Sequence, residues 1–318
     1  MNDALFTLGN VPVTPFGAGM ALALLVFLAA AYLACARQKI GYGVFIRYAV
    51  LALPLCFILS RLVFVLANIS YYCVTLSNPA LALRFWDGGY AMTGALAGLL
   101  LAAFLAGKWT RQPCGKLLDA AAWAALPALC VERLFESFTT MGLGRPFTYE
   151  WMQFLGVDDG YGELVHPVYR YEIAAALIIL LAVSLWLLRR KQSVKPGDAC
   201  LVILTLLGST QVIMESLRAD GHMIVFHFIR VQQVLSLACA VVILGIFARR
   251  LHKLGGIKKS QQLLLWLVVA VCIGLGIFME FRVDRGSLKM LYYAVLTLCM
   301  GTIAALALVL RCKAEKLR

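Results

Sequence analysis

Residues 171–188 read YEIAAALIILLAVSLWLL and run straight into Arg189-Arg190-Lys191. The run holds a single acid, Glu172, and meets no base until that cationic cluster. A stretch of this length and polarity matches the helix of about 20 apolar residues that a hydrocarbon core requires. The cations at its end fix which way it lies. Similar runs recur near 16–36, 45–68, 90–107, 117–132, 199–216, 228–248, 262–280 and 290–310. With 62% of the 318 residues hydrophobic, the fold class is an all-α polytopic membrane protein of about nine transmembrane helices. The first run reads as a span rather than a cleaved leader, because it is long, lacks a basic start and is followed by further spans.

The net charge of +13 invites a nucleic-acid reading, but its placement excludes one. Cations follow alternate spans: Arg37 and Lys39; Lys108, Arg111 and Lys116; Arg189 to Lys195; Arg249 to Lys259; Arg311 to Arg318. This alternation predicts an outer N-terminus and a cytoplasmic C-terminus, with the surplus charge against anionic headgroups. The ten cysteines are scattered, with no C-x-x-C, and His166, His222, His227 and His252 are dispersed. Neither a metal nor a cofactor is expected.

Between residues 131 and 172 the apolar pattern breaks into a polar island, the longest interval between spans. It predicts a small extracytoplasmic cap at about 133–170 on a transmembrane domain of 1–250. A basic linker and an extra hairpin occupy 251–318. Ionisable groups abutting spans are costly and mark candidate sites. Three groups fall on the predicted outer side.

The first group is Arg84 to Ala95, where Gly88 and Gly89 allow close backbone approach or leave amides for an anion. An interfacial turn with a small-residue helix contact is the plainer reading. The second is the island, where Arg133 and Arg145 can clamp a phosphate. An internal pair of Arg133 with Glu136, three residues on, is equally open. His166 suits a general base or, before Pro167, a structural position at a helix start. The third group is Glu215 to His222, where Glu215 and Arg218 can pair or share an anion. Arg61 adds a further cation, whose structural partner would be Glu132 or Glu215. Together these features read as a site for an anionic, phosphate-bearing group.

At these residues the chain resembles the bacterial prolipoprotein diacylglyceryl transferases. That family carries G-G-x-x-x-H-G-G, then R-x-G-N-F-x-N-x-E-x-x-G-R-P, H-P-x-Q-x-Y-E, E-x-x-R-x-P-D and G-Q-x-L-S. Gly88, Gly89 and Gly94 fit the first, and Arg133 with Gly144-Arg145-Pro146 the second. His166-Pro167 with Tyr171-Glu172 fit the third, while Glu215, Arg218 and Gln233 to Ser236 fit the last two, with Asp220 one residue early. The match runs over about 1–248.

The resemblance implies transfer of diacylglyceryl from phosphatidylglycerol, or another anionic phospholipid, to the cysteine of a prolipoprotein signal peptide in the bacterial cytoplasmic membrane. It implies substrate binding by Arg133, Arg145, Arg218, Arg61, Gly88, Gly89, Glu215 and Gln233. His166, Glu136, Thr93 and His222 are the catalytic candidates. Thr93 stands where the family has histidine, Glu136 and Thr139 where it has asparagine, Met141 where it has glutamate, and Tyr169 where it has glutamine. Retained arginines with altered polar partners suit a divergent member, one using another acceptor, or a non-catalytic phospholipid-binding protein.

Overall fold

In the computed structural model, residues 5–8, 11–85, 89–139, 142–147, 149–189, 194–219, 224–225 and 229–317 are described. The long helices are α1 (Pro15–Arg37), α2 (Tyr42–Ala67), α3 (Met92–Thr110), α4 (Cys114–Glu136), α5 (Val168–Arg189), α6 (Asp198–Leu217), α7 (Val231–Lys253), α8 (Lys259–Arg285) and α9 (Lys289–Lys316). Among the described residues these nine are long and apolar enough to cross a membrane, matching the expected spans one for one. Short strands join them: β1 (Phe6–Leu8), β2 (Val11–Val13), β3 (Leu143–Pro146), β4 (Val157–Asp158), β5 (Leu164–Pro167), β6 (Ile224–Val225) and β7 (Ile229–Arg230).

The chain forms two compact units, one of residues 1–144, 167–203 and 219–223, the other of 145–166, 204–218 and 224–318. In the first, α1 packs on α4, α2 on α3, and α4 on both α3 and α5. Lipid tails are as apolar as leucine, so close packing by small side chains has to hold such helices together. Ala31, Ala102, Ala106, Ala120 and Ala124 are accordingly buried between them. A Cβ on Gly94 would strike the Leu59 carbonyl, and one on Gly98 would lie 2.6 Å from the Cys56 Cα. The small-residue contact read at Gly94 is therefore what brings α3 onto α2. Trp123 Nε1 donates to Ser184 Oγ at 2.9 Å, tying α4 to α5. The Asp119 carboxylate accepts from the N–H groups of Gly197 (2.8 Å) and Cys200 (2.7 Å) and so caps the start of α6.

In the second unit α7 and α8 both pack on α9. Leu244, Phe247, Leu296, Met300 and Ile303 are buried there. Gly208 of α6 lets the Ser236 carbonyl of α7 approach, for a Cβ would meet it at 2.8 Å. The cap is built on β-pairing: Val157 opposes Val165, Asp158 opposes Leu164, and Phe147 N–H donates to the Leu164 carbonyl at 3.2 Å. Ile224 opposes Arg230 in a second small ladder. In the cap's 3₁₀ segment Glu150–Leu155, Trp151 and Phe154 are exposed.

Two helix ends that border the polar island lie beyond the spans expected there. The fourth span was placed at 117–132, but α4 continues to Glu136, and α5 starts at Val168 rather than 171. Arg133 and Glu136 thus belong to a helix and not to the cap. Their mutual pairing lets the polar turn stay helical, where hydropathy alone ends the span.

Candidate functional site

The first unit gathers three helix ends around Arg133. The last turn of α4 supplies Glu132, Arg133 and Glu136, the first turn of α5 supplies Glu172, and the start of α3 supplies Met92. Arg133 Nη1 lies 2.6 Å from Glu136 Oε2, while Nε lies 2.8 Å from Glu172 Oε2 and 3.3 Å from Glu132 Oε2. Nη2 reaches Met92 Sδ at 3.3 Å. Arg133, Glu136 and Glu172 are buried, so these are charge-assisted contacts at low dielectric. The pair with Glu136, left open by the sequence, is formed. Thr93 occupies the turn beside Met92, half-buried. Thr139 is a helix cap, with Oγ1 donating to the Glu136 carbonyl at 2.8 Å. A Cβ on Gly142 would press on Tyr169 (3.1 Å) and on Glu136 Cγ (3.3 Å), so the glycine lets the loop close over the pair.

Arg61 does different work. Its Nη2, Nη1 and Nε donate to the carbonyls of Arg84 (2.8 Å), Gly89 (3.1 Å) and Ala82 (3.2 Å). These three bonds clamp the loop that leads into α3. Gly89 is required there, having φ +78° and the Phe64 ring where a Cβ would stand. Ser60 Oγ donates to the Ala91 carbonyl at 2.9 Å and completes the latch.

The second unit holds its own buried network at the end of α6 and the start of α7. Glu215 Oε1 accepts from Gln211 Nε2 at 3.0 Å and lies 3.7 Å from Arg218 Nε. Its Oε2 lies 3.7 Å from Arg230 Nη1. Arg230 Nη2 donates to the Arg218 carbonyl at 3.4 Å. Gln233 caps α7, accepting the Arg230 N–H at 2.8 Å, and braces α6 by donating to the Val212 carbonyl at 3.3 Å. Arg145, half-buried on β3, and His166 on β5 belong to this unit as well. The His166 ring stacks on Phe147 with centroids 3.8 Å apart. Burial, and then the charge of Lys289, lower the His166 pKa, so its imidazole is neutral at pH 7 and able to accept a proton.

The expected site residues thus fall into two sets. Arg133, Glu136, Thr93, Arg61 and Gly89 are in the first unit; Arg145, His166, Glu215, Arg218 and Gln233 are in the second. Gly88 and His222 lie outside the described residues, as do Met141 and Asp220. Sequence reading overlooked Arg230 and the role of Glu172 as an Arg133 partner. The signal for Arg230 was a cation three residues before Gln233, at capping distance from a helix start.

Apolar helices whose ends bury arginine–carboxylate networks, one in each unit, define a multi-pass membrane protein. The prolipoprotein diacylglyceryl transferase model matches residues 3–249. The chain belongs to that family. It is 24% identical over 270 residues to the phosphatidylglycerol–prolipoprotein diacylglyceryl transferase of Bacillus licheniformis, covering 83% of this chain and 97% of that protein. The like-named proteins of Clostridium novyi (26% identical, 77% and 94% covered) and Lactobacillus acidophilus (27%, 80% and 92%) are similar at the same level. The family's chemistry is transferase chemistry, and the match ends before α8 and α9.

Proposed function

We propose that this chain transfers the diacylglyceryl group of phosphatidylglycerol, at the outer leaflet of a bacterial cytoplasmic membrane, to the cysteine of a prolipoprotein signal peptide. The observation that carries this reading is burial of ionic networks that include the family's motif positions, with Arg133 held by Glu136 and Glu172 in the first unit, and Arg218 and Arg230 by Glu215 in the second. Such charges are expensive next to a bilayer and mark candidate functional sites. Guanidinium groups suit the ester phosphate of the lipid and the glycerol phosphate that leaves. His166, neutral by virtue of its burial, takes the role of base toward the attacking thiol, whose thiolate is the nucleophile.

In this reading 1–250 is the transferase domain and 251–318 an addition to it. The basic clusters support a cytoplasmic C-terminus, which sets the networks on the outer side. The test is transfer of labelled diacylglyceryl from phosphatidylglycerol to a lipobox peptide by the purified full chain. Loss of transfer in Arg218→Ala and Arg133→Ala, with folding intact, is the expected result. Lipid binding without any transfer by the wild-type chain would instead favour a non-catalytic phospholipid-binding protein, a reading supported by Glu136 occupying the Arg133 guanidinium.

A further inference from the structure

The α8–α9 hairpin lies wholly beyond the family-matched segment, yet its turn is built into the second unit's polar end. Arg282 Nη2 donates to Tyr292 Oη at 3.3 Å, and its guanidinium lies over the same ring. Gly286 packs so closely on Tyr292 that a Cβ would lie 2.5 Å from the phenol oxygen. The turn is therefore braced rather than loose. One residue on, Tyr293 Oη donates to the Ser216 carbonyl at 3.3 Å. Ser216 is 1% exposed and lies in sequence between Glu215 and Arg218. The first turn of α9 is thus pinned to the end of α6 that carries the Glu215 network.

Lys289 opens α9, half-buried, four residues before Tyr293 and so on the same helix face. We propose that Lys289, held there by the braced turn and by the Tyr293–Ser216 bond, is a further binding residue for the phosphate of the anionic lipid, added to the family's site by the hairpin. This rests on the transferase reading above. The charge of Lys289 already reaches the site, since it contributes to lowering the His166 pKa. An ammonium on a flexible stem is suited to follow a headgroup phosphate. The ligand chemistry is a phosphate ester anion, either the lipid headgroup or the glycerol phosphate it releases.

The test measures binding to the full chain in nanodiscs, with fluorescent phosphatidylglycerol, fluorescent phosphatidylcholine and soluble glycerol phosphate as separate probes. Loss of one charge-assisted contact in Lys289→Gln should weaken an anionic probe about tenfold, with Lys289→Glu weaker still. Lys289→Arg should restore most of the affinity, and phosphatidylcholine should bind unchanged. Weakening of phosphatidylglycerol alone assigns the residue to the substrate, and of glycerol phosphate alone to the leaving group. Unchanged affinity for both anionic probes in Lys289→Gln and Lys289→Glu, at unaltered melting temperature, overturns the proposal. Binding is read without turnover, so a wild-type chain that transfers nothing defeats the transferase reading and leaves this measurement intact.

Discussion

Arg133 donates from Nη1 to Glu136 Oε2 at 2.6 Å, one turn on along α4, while its Nε faces Glu172 of α5 at 2.8 Å. One guanidinium thereby joins two helix ends, and the two carboxylates do different jobs. Glu172 comes from another helix and anchors the side chain. Glu136 stands where the family resemblance calls for asparagine and takes up Nη1 of the guanidinium.

Replacing the anchor should therefore harm stability first. Glu172→Gln leaves a buried arginine without its inter-helix partner, a loss of about 3 kcal/mol. Thermal unfolding in detergent should show a clear drop in Tm. An unchanged Tm would mean that Glu132 and Glu136 suffice.

Glu136→Asn should act in the opposite sense on activity. It removes a negative charge from the phosphate's path while Glu172 still holds Arg133. A gain of about tenfold in kcat/KM for phosphatidylglycerol is expected, the equivalent of about 1.4 kcal/mol. Equal or lower kcat/KM would show that the carboxylate is itself part of the chemistry.

The His166 imidazole is held below its ordinary pKa, first by burial and then by Lys289. It charges only when the pH falls below about 6.5, so a base role persists into mildly acidic solution. In Lys289→Gln part of the lowering disappears, and the acidic limb of the transfer-rate profile should move to higher pH. The same shift should appear in the His166 ring resonances by NMR. A limb that stays in place would place the base elsewhere.

Gly94 tests the packing side. Alanine there strikes the Leu59 carbonyl, which is backbone and cannot rotate away. Separation of α3 from α2 should cost about 1–3 kcal/mol and lower expression of folded protein. Gly301, whose added Cβ meets nothing within 4 Å, is the control and should tolerate alanine.

The helices were legible because hydropathy over about 20 residues is a strong signal, and it found each of these nine spans. Helix ends were not, since Arg133 and Glu136 are polar yet helical, their charges neutralised by partners that hydropathy does not register. The Arg133–Glu136 pair was readable from its spacing of three residues along one helix. Glu172 as a partner was not, because that contact depends on how α5 meets α4. The carbonyls of Ala82, Arg84 and Gly89 that Arg61 bonds leave no mark on composition. The cap's strands are two to four residues long, below the length at which alternation can be recognised.

The carbonyls that solvate Arg61 lie 21 to 28 residues further along the chain. During synthesis α2 reaches the membrane before those carbonyls have been made, and a charged side chain in a span is costly until polar groups solvate it. The guanidinium gains these three bonds once the loop ahead of α3 has been made. Gly94 and Gly98 allow α3 to close on α2 at that moment. α2 cut before this loop should insert less completely in a glycosylation-mapping assay than α2 followed by it, and Arg61→Leu should narrow the difference.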